Sequence, residues 1–311
     1  VNLLIGAVTI GLVLAPLALG VFVTYRIFHT LDLTTDGSFG VGAACVAALL
    51  VRGVPPLVAT ALGALAGAVA GMVTALLSRR WLVSPLLAGV LTTTAIYSVN
   101  LFVMGGGNLS LVSVDSVMTL ADGLGRRLVG LPNSLTVLGA PLSGTSLASL
   151  VLVGLVAGGL ALGLTLFLRT DLGLAVRAAG HNPQMATAVS IDVDRMVVLG
   201  FALANGLIAL SGSLFAQFQG FANTQMGIGA IVTGVATLMV GEALLGGRTL
   251  GRWITGGLAG AVTFHLLVAG AIRAGLNPNA LKLVTAAFVL IVLMAPDLLR
   301  KVLGRRTAAE A

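Results

Sequence analysis

Ten carboxylates, three imidazoles and one thiol are the side chains of this 311-residue chain able to move protons, hold a metal or attack a substrate. Their spacing forms none of the patterns such reactions need: there is no HExxH, no GxSxG and no cysteine/histidine cluster at metal-ligand spacing. Asp32, Asp36, Asp115, Asp122, Asp171, Asp192, Asp194, Asp297 and Glu310 read as loop or span-end residues. Glu242, near the end of an apolar run, is left as the candidate for a buried proton relay, with His265 in the next run as its companion. Both also fit helix-end or interhelical contacts, the commoner role, so a proton-driven carrier is poorly supplied with carboxylates. GEALLGGR, 241–248, has the glycines of a phosphate loop but lacks its lysine. No catalytic residue, no metal site and no cofactor bound by the chain itself is expected. The lone Cys45 lies in an apolar stretch and reads as a packing residue.

Uncharged polar groups inside apolar runs carry more information. Thr92, Thr93, Thr94, Tyr97 and Asn100 share one run, Asn205 lies in another, and Gln217, Gln219 and Asn223 stand just beyond it. In a bilayer such groups bond either to neighbouring helices or to a passing solute. A path lined by them, without fixed charge, suits a net-neutral cargo, zwitterions included. DLTTDGSF, 32–39, adds Asp36 and Ser38, either of which could cap the helix that follows.

These residues sit in a chain that is 58% hydrophobic and 9% charged, with a mean hydropathy of +1.09, more apolar surface than a soluble core can hide. The expected fold is all-α, a polytopic membrane bundle forming one domain over 1–311. Nine spans of the length a bilayer requires fall at about 2–24, 38–53, 57–77, 84–104, 148–168, 195–216, 226–246, 253–273 and 279–298. The first run lacks a basic region before it and reads as a span rather than a signal peptide. The second is short enough to be partly unwound. The net charge of +7 is dispersed between the runs, not gathered on a groove-sized stripe, which argues against nucleic acid as a partner.

With the N-terminus outside and the C-terminus cytoplasmic, Arg26, Arg79, Arg80, Arg169, Arg177, Arg195, Arg248, Arg252, Arg300, Lys301, Arg305 and Arg306 lie inside. Arg52, Arg126, Arg127, Arg273 and Lys282 then lie outside, and twelve against five follows the positive-inside rule. The longest external segment, 105–147, is expected to hold short surface helices or re-entrant pieces.

GALAGAV at 63–69 returns as GGLAGAV at 256–262, and DGSFGVGA at 36–43 is echoed by TQMGIGA at 224–230. Five spans separate the copies, so each runs opposite to its twin, the mark of an inverted repeat pairing spans one to four with six to nine. The glycines at four-residue spacing in these stretches also suit close helix packing on their own.

Residues 169–195, RTDLGLAVRAAGHNPQMATAVSIDVDR, are too polar for lipid and too patterned for a linker. Gly180 can end a short helix, and Asn182 followed by Pro183 suits the N-cap and first position of a second. A helical knob of this kind on the cytoplasmic face is one that a motor subunit could grip; an amphipathic helix lying on the membrane surface is the competing reading.

Four stretches, YRIFHTLDLTTDGSFGVGA (25–43), LLAGVLTTTAIYSVNLFVMGGGNLSL (86–111), GLAVRAAGHNPQMATAVSI (173–191) and GIGAIVTGVATLMVGEALLGG (227–247), resemble the permease subunits of bacterial ABC importers. The likeness is to the branched-chain amino acid permease superfamily, which includes ribose and nucleoside permeases. The second stretch is most similar to its tryptophan/tyrosine-type branch. That resemblance implies a multi-pass protein of the bacterial cytoplasmic membrane, paired with a second permease copy as a homodimer. It also implies two cytoplasmic ABC ATPase subunits, which bind ATP and Mg, and an extracytoplasmic solute-binding protein. It marks Gly173, Arg177, Ala178, Gly180, Asn182, Pro183 and Ala186 as the segment docked on the ATPase. Ser190 departs from the pattern, standing where a glycine usually precedes Ile191, and puts in question how the second short helix ends. The cargo expected is a hydrophobic or aromatic amino acid or related zwitterion moved by alternating access; a sugar or nucleoside permease and, from a different class, an autonomous secondary carrier are the alternatives.

Overall fold

The computed structural model describes residues 2–80, 83–129, 134–137, 140–246, 249–275, 280, 283–287 and 290, and among them the chain is a bundle of helices with very little strand. The apolar runs dictate this outcome: a backbone in hydrocarbon must satisfy every N–H and C=O internally, and a helix does so within one segment. Helices α1 (Asn2–Val13) and α2 (Ala15–Phe22) join through a bend at Leu14 and end in a five-residue π-helix, Val23–Ile27. Then come α3 (Thr34–Val51), α4 (Pro56–Arg80), α5 (Pro85–Met104), strand β1 (Asn108–Ser110), α6 (Val117–Val129), the hairpin strands β2 (Ser134–Val137) and β3 (Ala140–Ser143), and α7 (Gly144–Phe167). The short α8 (Asp171–His181) and α9 (Pro183–Ala188) lead into α10 (Val193–Gln219), β4 (Phe221–Asn223), α11 (Ala230–Leu245) and α12 (Leu250–Arg273).

Seven helical segments among the described residues are long and apolar enough to cross a membrane: Leu4–Ile27, Thr34–Val51, Pro56–Arg80, Pro85–Met104, Ser146–Phe167, Val193–Gln219 and Leu250–Arg273. Ala230–Leu245 is a shorter apolar helix, and the expected span at 279–298 falls mostly outside the described residues, as do Arg248, Lys282 and the basic group at 300–306. The unwinding expected in the second span is found elsewhere. Thr34–Val51 is unbroken, whereas 224–229 precede α11 as a series of turns. A second correction concerns 105–147, which holds strands as well as a helix: β1 pairs antiparallel with β4 in the register Asn108↔Asn223, Leu109↔Ala222, Ser110↔Phe221.

Small residues bring the long helices together. Gly63, Gly67 and Gly71 place one face of α4 against α10, where an added Cβ would stand 2.4 Å from Ser213 Oγ, 2.1 Å from Ala209 Cβ and 2.3 Å from the Phe201 carbonyl. A Cβ added at Gly260 of α12 would likewise stand 1.9 Å from the Thr237 carbonyl of α11. Contacts this close leave no room for any side chain, so the glycines set the helix separation. The largest buried cluster among the described residues gathers Leu19, Phe22, Val23, Leu164, Leu168, Val176, Leu207, Leu238 and Ile254, joining α2, the π-helix, α7, α8, α10, α11 and α12.

Candidate functional site

Two features stand out, a polar centre where the repeated motifs meet and a helical knob at one end of the bundle. The centre begins with Asp32, in the connection 28–33. Although its sequence position reads as a loop, it is only 2% exposed. Its carboxylate accepts from Asn205 Nδ2 at 2.7 Å and from the Thr34 backbone N–H at 2.9 Å. Asn205, fully buried in α10, also donates to the Phe201 carbonyl at 3.0 Å and accepts from Ser38 Oγ at 2.7 Å. Asn205 lies twelve residues into α10, about 18 Å along its axis, so the 28–33 connection penetrates well into the bundle. The Thr34 and Thr74 hydroxyls share a further bond of 2.7 Å that ties α3 to α4.

Asp36 does not cap its own helix. Its carboxylate accepts from the Gly229 and Ile231 N–H groups at 3.0 and 2.9 Å, capping α11 instead, where a negative charge meets the positive end of the helix dipole. Gly227 makes the approach possible, since a Cβ there would stand 2.0 Å from the Asp36 carbonyl. The echoed motifs DGSFGVGA and TQMGIGA are therefore in direct contact. Ser38 is likewise no cap, its hydroxyl being committed to Asn205.

The remaining polar candidates divide by environment. Thr93 donates to the Leu33 carbonyl at 2.9 Å, linking α5 to the connection. Gln217 falls inside α10 rather than beyond it, accepting from the Val117 N–H at 2.8 Å and donating to Thr60 Oγ1 at 2.8 Å. Gln219, in the last turn of α10, is exposed. Asn100 is different: it is 2% exposed, and its side-chain oxygen has no hydrogen-bond partner among the described residues. Tyr97, nearly one turn earlier on α5, is 44% exposed on a face it shares with Thr94 and Ser98. An unmet buried amide oxygen beside a half-open polar face is chemistry suited to a transient hydrogen-bonding partner.

Glu242 is held by an ion pair with Arg26, whose Nε donates to Oε1 at 2.6 Å and whose Nη2 donates to Oε2. The Arg26 guanidinium also lies 4.4 Å from the Trp253 ring centroid. His265 Nδ1 is 2.8 Å from the Ala261 carbonyl of its own helix. The two candidates for a relay thus each have a separate partner, and the carboxylate most buried among the described residues, Asp32, is one that the chain pattern hid.

The knob has the helix, break and helix expected, with a different stop. Thr170 caps α8 by accepting from the Gly173 N–H at 3.2 Å, and Asn182 caps α9 by accepting from the Met185 N–H at 3.0 Å, with Pro183 at its first position. Gly180 does not end α8, which continues through His181; it allows α8 to press on the π-helix, where a Cβ would stand 2.2 Å from the Ile27 carbonyl. Gly173 and Ala186 are buried, Ala178 and Arg177 partly so, and Asn182 and Pro183 are exposed. Met185 and Val189 are 60% and 59% exposed, unusual positions for apolar side chains on a polar segment. Ser190 has φ +64°, the left-handed conformation glycine favours, and closes α9 with bonds from its N–H to the Thr187 carbonyl and from the Ile191 N–H to the Ala186 carbonyl. A Schellman stop therefore forms without glycine, at a cost of about 1 kcal/mol.

Against known proteins, the model of a family described as "Branched-chain amino acid transport system / permease component" matches residues 3–294. A tyrosine transport system permease protein of Clostridioides difficile is 34% identical over 295 residues, covering 95% of this chain and 92% of the relative. An uncharacterized protein of Rickettsia prowazekii is 28% identical over 94% of this chain and 97% of its own length. The autoinducer 2 import system permease protein of Escherichia coli is 28% identical over 72% of this chain and 56% of its own. No solved structure matches the chain.

Proposed function

The chain belongs to the family of permease components of branched-chain amino acid transport systems and is a multi-pass protein of the bacterial inner membrane, and from that premise we propose that it forms the solute pathway of an ATP-driven importer for a hydrophobic or aromatic amino acid or a related small zwitterion. The observation that carries the cargo class is the likeness to a tyrosine transport permease over nearly the full length of both chains, against a shorter partial match to an autoinducer 2 permease.

The orientation follows the basic residues, with the N-terminus outside and the 169–195 knob in the cytoplasm. Contact between DGSFGVGA and TQMGIGA supports an inverted repeat, because equivalent segments of such repeats meet near their shared axis. In this reading α9 is gripped by a partner ABC ATPase, which binds and hydrolyses ATP while this subunit does no catalysis. A second copy of the chain completes the pathway as a homodimer, and an extracytoplasmic binding protein delivers solute. Closure of the ATPase pair moves the docked knobs, and rigid helix packing turns that motion into alternating access.

Tyr97 and Asn100 are the best-placed path residues, because one is half-open and the other holds an unmet acceptor. Loss of one such hydrogen bond from the transport complex corresponds to about tenfold in rate. In proteoliposomes containing the whole importer, Tyr97→Leu and Asn100→Leu are each expected to cut uptake of labelled tyrosine by about that factor while the subunits still co-purify. Unchanged uptake in both variants would remove α5 from the path.

A further inference from the structure

A cleft of about 650 Å³ opens between α8, the π-helix and the start of α12, away from the polar centre and from the exposed tip of α9. Its polar lining is Arg26, His29, Arg177, His181 and Thr249, and its apolar lining includes Phe22, Leu174, Leu250 and Trp253. Among the described residues no carboxylate lines it. The charge of Arg26 is met by Glu242, but Arg177 makes only a long 3.4 Å bond to the Leu168 carbonyl and has no acidic partner among the described residues. A partly buried guanidinium without an acidic partner among the described residues is a positive site, and its planar fork matches phosphate oxygens.

Depth in the membrane decides what kind of anion fits. Arg26 lies at the end of the spanning segment Leu4–Ile27, and Trp253 lies in the first turn of Leu250–Arg273. The cleft is therefore at the level where hydrocarbon gives way to head groups, with a tryptophan at the boundary. Basic groups at that level above an apolar floor suit a molecule with a phosphate at one end and acyl chains at the other.

We propose that this cleft seats the phosphate head group of an anionic phospholipid, with the Arg177 guanidinium on the phosphate and the acyl chains leaving along Trp253 and Leu250. A zwitterionic head group carries its own cation into a site already positive and binds less well. The seat is lined from α8, and no residue of α9 lines it.

Purified permease in detergent tests this by native mass spectrometry, titrated separately with phosphatidylglycerol, phosphatidylcholine and inorganic phosphate. Phosphatidylglycerol is expected to bind about fivefold tighter than phosphatidylcholine, as one unpaired arginine at a membrane surface provides. The double variant Arg177→Gln/His181→Gln loses that preference, Arg177→Lys keeps part of it, and Arg273→Gln at the opposite end of α12 leaves it intact. Equal binding of the two lipids by the native protein overturns the proposal, as does a preference that survives the double variant. Inorganic phosphate displacing the lipid at equal concentration overturns the lipid as the ligand and leaves a soluble-anion site. A double variant that does not fold is recognised by its gel-filtration profile, and Arg177→Lys against the native protein then carries the comparison: no difference between them sinks the role given to the guanidinium fork.

Discussion

Replacement of Asn205 by leucine is expected to destabilise the folded permease by about 2–4 kcal/mol, the cost of leaving two buried polar groups without their hydrogen-bond partner. The size follows from what a single amide does. Its nitrogen donates to Asp32 Oδ2, its oxygen accepts from Ser38 Oγ, and all three side chains are at most 2% exposed. Leucine matches the volume and meets neither bond, so a carboxylate and a hydroxyl are both stranded away from water. Asp32→Asn keeps an acceptor facing Asn205 and is expected to cost less than half as much. The double variant Asp32→Asn/Asn205→Leu should show coupling, falling short of the sum of the single losses. Unfolding of the purified protein followed by circular dichroism measures all three; strict additivity would mean that the two residues do not stabilise one another.

The second large effect is expected at the tip of α9. Met185 and Val189 project from a short helix that is capped at both ends, by Asn182 and by the Ser190 turn, so the apolar pair is presented in a fixed geometry. Apolar anchors at the centre of a protein interface are each worth about 2–4 kcal/mol. Met185→Asp and Val189→Asp should therefore lower transport-linked ATP hydrolysis in the reconstituted importer by about a hundredfold. Because both side chains are exposed, the permease itself should fold with its stability changed by less than about 0.5 kcal/mol. Arg177, grouped with the docking residues by resemblance, also lines the cleft beside Arg26.

The helices were legible because apolar runs of spanning length leave the backbone few alternatives, and the knob was legible because Asn182 and Pro183 are a strong start signal in a polar stretch. The polar centre was not. Asp32 stands between two apolar runs, where an acid is ordinarily solvated, and only the inward course of 28–33 buries it. Asp36 looks like a cap for the helix it begins, yet it serves α11, with Gly229 193 residues away, because Gly227 lets two backbones touch. Three-residue strands such as β1 and β4 carry no periodicity from which their pairing could be read. Ser190 shows the reverse case, since its departure from a glycine pattern pointed to the one place in the knob where the backbone turns left-handed.

The central claim is that the chain holds no energy source and is driven through the knob by another subunit. Solute accumulation in proteoliposomes containing the permease alone, or the permease with its ATPase, binding protein and ATP, tests it most directly. Concentrative uptake is predicted only in the complete, ATP-fed vesicles and should vanish with Met185→Asp. Concentrative uptake by the lone permease under an imposed proton or sodium gradient would contradict it.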